Sequence, residues 1–396
     1  MSNRALANRL LTDYKQLHKI PETGFCLSKT ISYVKKRLDK LNIKYSDCGK
    51  AGITATLGNP ESERCILLRA DMDALPITEE SDIDFRSENG NMHACGHDMH
   101  TSVLLGAAML LKRRESQLKN RFKLLFQPAE ETLEGAEDVI KAGVLENPEV
   151  DCAVMLHCLV GIELPAGTIV ISSPGVSAPG ADHFKIRLSG KGCHGSMPEK
   201  GKDPLAVACK IITALDEIRA KELSISDRAV LTVGMLNAGN TGNVIPDTAE
   251  FAGTLRAYSE SSRALMKKRL KEISAGIAKT FGVSCETVFE YSCPSLLNDT
   301  DLSEKIFKTA SGHLTETKVL RAADLIRISE KKGQTSVSAG SEDFAYISRK
   351  VPSVMVALCA GKPSDGYIYP LHHPKVRFDT DAMLHGAEFF ASLDNL

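Results

Sequence analysis

Hydrophobic and polar positions follow different patterns along this chain, and each pattern predicts a kind of element. Apolar residues recur every three or four positions in some segments, which is typical of amphipathic helices; we predict helices at residues 8–17, 27–41, 101–114 and 301–311. Short continuous apolar blocks are typical of buried strands; they occupy residues 64–70, 122–126, 152–156 and 353–359. Because the two kinds of segment alternate along the chain, we expect an α/β domain.

The pattern changes between residues 181 and 293. The predicted elements there are a strand at 183–188, a Gly-rich turn at 190–195, a helix that begins at Pro204, strands at 230–234 and 249–256, a helix at 261–280 and a strand at 283–291. Asp203 suits the N-cap of the first of these helices, and Pro204 suits its first helical position. The order β-α-β-β-α-β is the split pattern of a ferredoxin-like domain. We therefore expect a discontinuous larger domain, residues 1–180 with 294–396, and an inserted lid or dimerisation domain at 181–293.

Polar residues follow three of the predicted strands directly. Asp71 and Asp73 follow the first, Glu130 and Glu131 the second, and His157 the third. In open α/β sheets, ligands bind beyond the carboxyl ends of the strands. Two adjacent glutamates suit a division of labour, in which one binds metal and the other accepts a proton. The two aspartates either hold a ligand histidine or cap a turn.

The densest group of coordinating side chains lies just before the helix predicted at 101–114. Within six positions the chain carries Cys95, His97, Asp98 and His100. Thiolate, imidazole and carboxylate groups at this spacing are typical of a metal site, because burying them without a partner is costly. A polar loop that merely caps the helix is the alternative. His18 precedes a Pro turn, and we interpret it as structural.

Composition limits the class of partner. The chain has 396 residues, with 49 basic and 50 acidic side chains and a formal net charge of -1. This balance gives no electrostatic footprint for nucleic acid or an anionic membrane, and we expect a small-molecule substrate. No stretch reaches the ~18 apolar residues of a membrane span, and residues 1–11 lack the apolar core of a signal peptide. Eleven cysteines in such a chain predict reduced thiols and a cytoplasmic location.

Six motifs together carry a family resemblance. They are LHKIPETGF at 17–25, RADMDALP at 69–76, HACGHD at 93–98, FQPAEE at 126–131, NVIPD at 243–247 and GSEDF at 340–344. In this order they make the chain resemble the aminoacylase and hippurate hydrolase branch of metallopeptidase family 20. That branch also contains plant hydrolases of auxin conjugates and bacterial deacetylases of N-acetyl amino acids.

The resemblance implies a catalytic domain with a mixed sheet flanked by helices, and a site for two divalent metal ions per subunit. The implied ligands are Cys95, His97, Glu131, His157 and His372. The family pattern His-x-Pro selects His372 over His373, and Glu130 is the implied catalytic base. The metals would be zinc or manganese, with cobalt or nickel as alternatives.

The resemblance also implies roles for the inserted domain, which would join two chains into a homodimer. His194 would reach into the partner's active site and polarise the amide carbonyl or bind the oxyanion. Asn243 and Arg256 match positions that could hold the substrate carboxylate, since Arg binds carboxylates with two hydrogen bonds. The alternatives are a solvated loop for His194 and an edge-strand salt bridge for Arg256.

The expected activity is hydrolysis of N-acyl amino acids, with acetyl, benzoyl or similar acyl groups, by attack of metal-bound hydroxide with Glu130 as general base. The alternatives are dipeptidase or carboxypeptidase activity on small peptides, a cysteine amidase that uses Cys95 as nucleophile, and a binder without catalysis. Two thiols depart from the family pattern, Cys158 and Cys193, and they put the ligation in question. The chain also contains no Trp, so the acyl pocket is expected to differ from that of relatives.

Overall fold

A computed structural model describes residues 2–325 and 340–396 of the chain. The strands are β1 Tyr45–Cys48, β2 Gly52–Gly58, β3 Cys65–Asp71, β4 Arg121–Gln127, β5 Cys152–Leu159, β6 Ile169–Ile171, β7 Gly175–Ala178, β8 Gly180–Ser189, β9 Cys193–His194, β10 Ala229–Ala238, β11 Val244–Ile245, β12 Thr248–Ala257, β13 Ser284–Cys293, β14 Leu296–Asn298, β15 Val319–Arg321 and β16 Ser353–Cys359. The α-helices are α1 Asn3–His18, α2 Ser28–Lys40, α3 His97–Arg113, α4 Gly135–Lys141, α5 Pro204–Glu217, α6 Glu260–Thr280, α7 Thr300–His313, α8 Phe344–Ser348 and α9 Ala382–Ser392.

The described residues divide into two compact units. The first consists of residues 2–177, 297–325 and 343–396, and the second of residues 178–296 with 340–342. The second unit contains the insertion expected at 181–293 and extends beyond it at both ends. The sequence also predicts a turn at 338–343, and its first two residues lie outside the described residues.

The first unit is built on a mixed sheet with the strand order β1-β2-β4-β3-β5-β16-β6-β15. The central strands β4, β3, β5 and β16 are parallel, whereas β2 and β6 join antiparallel to them. Asp71 of β3 pairs with Gln127 of β4, so these two strands end side by side. This sheet and its helices confirm the predicted α/β class.

Helix α3 lies at the centre of the first unit, in contact with β3, α1 and α9. Its residues from His97 to Met109 are all buried. Each fully buried Leu or Val contributes roughly 1.5–3 kcal/mol, so the helix is held firmly by its apolar side chains. It is therefore a rigid support for the polar residues of its first turn.

The predicted start of α3, at residue 101, is wrong, because the helix begins at His97. Gly96 precedes it with φ 82°, a left-handed conformation that glycine adopts readily. A Cβ at Gly96 would lie 3.1 Å from the Phe378 ring and 3.3 Å from Sγ of Cys158. The acidic residue Asp98 in the first turn favours this start through the helix dipole. The dense polar stretch is therefore partly helical, and not a loop before the helix.

The second unit is an antiparallel sheet with the strand order β10-β12-β8-β13, against which α5 and α6 pack. Phe184, Ile186 and Leu188 of β8 alternate into its core. The Asp203 side chain accepts a hydrogen bond from the backbone N–H of Ala206, as predicted for an N-cap. The order β-α-β-β-α-β agrees with the predicted ferredoxin-like pattern. Among the described helices of the chain, none is both long and apolar enough to cross a bilayer.

Candidate metal centre

The five predicted metal ligands all belong to the first unit. Cys95 and His97 lie at the start of α3, Glu131 follows β4, His157 lies within β5 and His372 lies in the loop before α9. Strand β5, predicted to end before His157, continues to residue 159. Cys95 and His97 are buried, Glu131 and His157 are half-buried, and His372 is exposed. Four segments of the chain thus contribute to one site.

The ligand atoms form overlapping groups, in each of which the atoms lie within 4.8 Å of one another. They include Cys95 with His97 and His157, Cys95 with Glu131 and His372, His97 with Glu130 and Glu131, and Asp71 with His97 and His100. Nε2 of His372 lies 3.5 Å from Oε1 of Glu131, and Nε2 of His97 lies 3.8 Å from the same oxygen. Two tetrahedral ligands of one zinc ion lie about 3.5 Å apart. Two of these groups include Cys95, and together their side chains offer enough donors to hold two divalent ions.

Unpartnered buried atoms test whether a metal fits here. Both ring nitrogens of His97 and Oε1 of Glu131 are buried without a hydrogen-bond partner. Leaving a buried polar group unsatisfied costs ~1–3 kcal/mol. A cation beside Glu131 would satisfy Oε1 of Glu131 and Nε2 of His97, which lie 3.8 Å apart, whereas Nδ1 of His97 faces Asp73 at 3.5 Å. The donors present, one thiol, three imidazoles and a carboxylate, are also those that bind zinc and related metals. The residues therefore fit a divalent metal ion.

A hydrogen bond orients His157. Its Nδ1 lies 2.8 Å from the carbonyl oxygen of Cys158, which can only accept, so Nδ1 carries the proton. In the neutral ring Nε2 is then the unprotonated nitrogen, the form that binds metals. This atom faces Sγ of Cys95 at 3.5 Å.

The structure also separates the two adjacent histidines. The backbone N–H of His372 donates to the carbonyl oxygen of Ala94 at 2.9 Å, and the residue adopts φ 66°. This bond ties the loop to the segment that carries the candidate thiol. His373 instead stacks on the Tyr369 ring at 4.4 Å and accepts from the backbone N–H of Lys375. The geometry thus brings His372 into the group and leaves His373 beside it.

Asp73 holds the two glutamates in place. Its carboxylate oxygens accept hydrogen bonds from the backbone N–H groups of Glu130 and Glu131 at 3.0 and 3.1 Å. The same carboxylate lies 3.5 Å from Nδ1 of His97. Oε2 of Glu130 lies 3.9 Å from Nε2 of His97, on the other side of the ring. Asp73 therefore holds the turn that carries the two glutamates, and its carboxylate also lies beside the His97 ring.

The remaining residues of the dense stretch are engaged elsewhere. His100 contacts Asp71, with Nδ1 2.6 Å from Oδ1, and its Nε2 accepts from the backbone N–H of Cys158 at 2.8 Å. Asp98 contacts His18, with Oδ2 2.6 Å from Nδ1. The side chains of His100 and Asp98 thus already have partners, so these residues support the site and are not free to act as metal ligands.

The electrostatics of the centre favour a cation. Burial alone would lower the pKa of His97, but Asp71, Asp73 and the Cys95 sulfur outweigh it and raise the pKa well above its ordinary value. Burial raises the pKa of Glu131. The pKa of the Cys158 thiol is raised well above its ordinary value by burial, with nearby carboxylates adding to the effect. Among the described residues, Cys158 belongs to none of the candidate ligand groups, whereas Cys95 belongs to two.

The other predicted residues belong to the second unit. His194 is exposed on β9, which pairs with β11, and the backbone N–H of Gly195 donates to the carbonyl oxygen of Asn243 at 2.8 Å. His194 and Asn243 therefore lie close together. Arg256 lies on β12, and its Nη1 donates to Oγ of Ser341 at 3.1 Å. The alternative for Arg256 assumed an edge strand. It is wrong, because β12 lies between β10 and β8.

None of the predictions assigns a role to Arg69 or Gln127, and His100 entered only as one of the coordinating side chains at 95–100, although all three lie against the centre. A signal was present, because a charged arginine within the apolar block 64–70 demands buried partners. The identity of those partners is not readable from local sequence, since Asp343 lies 274 positions away.

The first unit combines a mixed α/β sheet with a cluster of thiol, imidazole and carboxylate groups at its strand ends. The chain also carries a ferredoxin-like insertion. Together these features are typical of a class of metal-dependent hydrolases. The model of Peptidase family M20/M25/M40 matches residues 67–393. The chain belongs to this family and is a metal-dependent hydrolase that acts on linear amides, which confirms the predicted resemblance.

Two curated relatives and one solved structure illustrate the family. The N-acetylcysteine deacetylase of Bacillus subtilis (strain 168) is 32% identical over 396 residues, which are 99% of this chain and 98% of the relative. Thermostable carboxypeptidase 2 of Saccharolobus solfataricus is 32% identical over 381 residues, 94% of this chain and 91% of the relative. A Bacillus subtilis dinuclear metal binding peptidase from the M20 family has a TM-score of 0.79 at 31% identity, covering 99% of this chain and 98% of its own.

Proposed function

We propose that this protein hydrolyses N-acyl amino acids, with acetyl, benzoyl or similar acyl groups, to a carboxylate and a free amino acid. The observation that carries the proposal is Cys95, whose sulfur belongs to two ligand groups beside the carboxylate of Glu130. A deacetylase of N-acetylcysteine among the relatives supports the same substrate class.

In this proposal two divalent ions bind per subunit. Cys95, His97 and His157 would hold one ion, and Cys95, Glu131 and His372 the other. The thiolate favours zinc, whereas imidazole and carboxylate ligands also admit manganese, cobalt or nickel. The buried Nε2 of His97, which has no hydrogen-bond partner and lies 3.8 Å from Oε1 of Glu131, supports its assignment as a ligand.

Glu130 is the general base of the proposed mechanism. When bound, the divalent ions polarise the amide carbonyl and lower the pKa of water from nearly 16 towards ~7. The carboxylate of Glu130 accepts the proton of the attacking water and returns it to the leaving amine. Asp73 fixes the backbone of Glu130 by a 3.0 Å hydrogen bond, which supports a defined position for this base.

His194 would stabilise the oxyanion, contributed by the partner chain of a homodimer. The backbone N–H of Ser196 lies 3.2 Å from Nδ1 of His194. A backbone N–H can only donate, so Nδ1 is the acceptor and the neutral ring carries its proton on Nε2. An Nε2–H donor can stabilise the negative charge that develops on the oxyanion.

Asn243 and Arg256 would bind the substrate carboxylate, Arg256 through its planar guanidinium.

The homodimer would form through the sheet of the second unit. That sheet ends in the edge strands β10 and β13, which carry exposed apolar residues such as Leu236 and Val288. Open edges with apolar side chains favour association.

All eleven cysteines are free, which supports a reducing compartment such as the cytoplasm.

Amine release from N-acyl amino acids by metal-depleted and refilled protein tests the proposal. We expect no turnover after chelation, and recovery with zinc or manganese. The panel pairs each N-acetyl amino acid with its carboxamide, which lacks the carboxylate that Arg256 would bind. Turnover that survives complete metal removal would establish the cysteine amidase instead. Dipeptides with a free C-terminus, cleaved faster than every N-acyl amino acid, would establish the carboxypeptidase alternative.

A further inference from the structure

Arg69 is among the largest fully buried side chains of the described residues, at 1% exposure. It lies in β3, between residues that pack into the apolar core. A buried guanidinium is strongly destabilising unless its charge and its N–H groups are matched. Its partners therefore define what the residue does.

Those partners lie at the ends of three different elements. Nε donates to Oε1 of Gln127 at 2.9 Å, Nη1 to Oδ2 of Asp71 at 2.7 Å, and Nη2 to Oδ1 of Asp343 at 2.9 Å. Two of these partners are also bonded to each other, since Nε2 of Gln127 donates to Oδ1 of Asp343 at 2.8 Å. The planar guanidinium thus joins the carboxyl ends of β3 and β4 to the residue that precedes α8.

One relay leads from this arginine to the strand that carries His157. Asp71, held by Arg69, lies 2.6 Å from Nδ1 of His100, and Nε2 of His100 accepts from the backbone N–H of Cys158 at 2.8 Å. The N–H of Cys158 can only donate, so His100 is protonated at Nδ1 and donates to Asp71. The chain of hydrogen bonds therefore ends at the residue next to His157.

A second relay leads to the glutamates. Gln127 is the last residue of β4, and the chain reaches Glu130 and Glu131 three and four positions later. The hydrogen bonds of Gln127 to Arg69 and Asp343 fix the point from which this turn begins. Asp343 also accepts from the backbone N–H of Ala136, at the start of α4 on the far side of the turn. Both ends of the turn are therefore anchored to the same cluster.

The charges of the cluster also connect Arg69 with the metal centre. One guanidinium lies between the carboxylates of Asp71 and Asp343, which leaves a buried net charge of about -1 if both are ionised. Oδ1 of Asp71 lies 3.8 Å from Nδ1 of His97. A cation bound at His97 would offset this charge.

We propose that Arg69 is a positioning residue of the metal centre, which sets the places of His157 and of the glutamate turn through its bonds to Asp71, Gln127 and Asp343. The inference rests on the proposed function, because it requires the metal centre. Lysine cannot replace this residue, since an ammonium lacks the planar fork that meets three partners at once.

The experiment measures metal affinity by competition with a chelating indicator dye, using Zn²⁺ alone, in the full chain with Arg69→Lys and Arg69→Gln. Residues that orient metal ligands typically change metal affinity about 10- to 100-fold, and we expect a loss of this size in both variants. The matched control is Arg37→Gln, because Arg37 is also buried and bonded to a carboxylate, Asp13, at 2.9 Å. We expect this control to lower the unfolding temperature and to leave the affinity unchanged.

The outcomes separate the inference from the proposed function. Wild-type protein that binds no metal would overturn the proposed function, and the inference with it. Wild-type protein that binds Zn²⁺, with folded Arg69 variants of equal affinity, would overturn the inference alone. An equal loss of affinity in Arg37→Gln would reduce the role of Arg69 to general stability and overturn it too. If neither Arg69 variant folds, the Zn²⁺ affinity of His100→Gln is measured instead, because this substitution interrupts the first relay beyond Asp71. An affinity equal to that of wild type would overturn the inference.

Discussion

Sγ of Cys95 and Nε2 of His157 lie 3.5 Å apart, although 62 positions separate the two residues in the chain. A thiol and an imidazole at this distance suit either a shared metal ion or a nucleophile with its base. Substitution of the sulfur distinguishes these two uses.

Cys95→Ser is expected to lose both bound metal and turnover, because a hydroxyl is a far weaker ligand than a thiolate. Metal content by elemental analysis and amine release from an N-acetyl amino acid measure the two effects. Cys158→Ala is the control, since it removes a neighbouring buried thiol whose pKa burial keeps well above its ordinary value. A Cys95→Ser protein that keeps its metal but loses turnover would support the nucleophile instead.

Glu130→Gln is expected to retain metal while kcat falls about 10²- to 10⁴-fold, the usual contribution of a general base. Glutamine preserves the size of the side chain and removes its ability to accept the proton. Glu134→Gln is the matched control, because Glu134 is exposed in the same turn and caps no helix with its side chain. Undiminished turnover by metal-loaded Glu130→Gln would exclude this residue as the base.

His18 predicts a pH dependence of stability. Burial disfavours its charge, but hydrogen bonds to Asp98 and Glu79 prevail and raise its pKa from the ordinary 6.5 to about 9. The ring also faces Tyr14 and His93, and burial lowers the pKa of His93 to about 4, so His93 stays neutral here. A raised folded-state pKa gives stability that is complete below pH 6.5 and is lost as pH rises through 9.

The matching measurement is urea unfolding of metal-free protein at pH 6 and pH 9. The pKa difference corresponds to about 3 kcal/mol that wild type loses between the two conditions. His18→Gln removes the titrating ring and is expected to start less stable at pH 6 and to lose less on going to pH 9. Parallel pH profiles for the two proteins would contradict a charged His18.

Arg256→Lys is expected to raise KM for N-acetyl amino acids about 10- to 100-fold, because a hydrogen bond to a charged group contributes ~1.5–3 kcal/mol. The corresponding carboxamides should show no such change, since they lack the carboxylate. Arg187→Lys, on the same sheet and paired with Glu250 at 2.7 Å, provides the control. An equal rise in KM for acids and carboxamides would remove Arg256 from carboxylate recognition.

Sedimentation equilibrium tests the proposed homodimer. We expect wild type to sediment as a dimer and either Leu236→Lys on β10 or Val288→Lys on β13 to dissociate it, because a buried lysine opposes association at an apolar interface. The variant that dissociates identifies the edge in use. Monomeric wild type at micromolar concentration would contradict the dimer.

Local chemistry accounts for what the sequence predicted well. The N-cap at Asp203 and the strand at 353–359 were predictable because capping and apolar blocks depend on neighbouring residues. The start of α3 was not, since His97, Asp98 and His100 are polar and their turn gives no helical periodicity. Burial of that turn depends on distant partners, Asp71 and His18, which only the folded chain brings close.

The candidate site shows the same limit. The residue types at 95–100 and 130–131 indicate metal chemistry, but the choice of ligands came from a family resemblance and not from spacing. Neither source assigned a role to Arg69, because a strand pattern does not reveal a contact with a residue 274 positions away. Long-range hydrogen bonds are therefore where the structure adds most.

The backbone bond between His372 and Ala94 has a consequence for biosynthesis. A ribosome delivers Cys95, His97, Glu131 and His157 long before His372 emerges. A nascent chain can thus hold all three donors of one group, Cys95, His97 and His157, before the group of Cys95, Glu131 and His372 is complete. Hydrolytic competence would arrive late and abruptly during translation, as the loop before α9 docks.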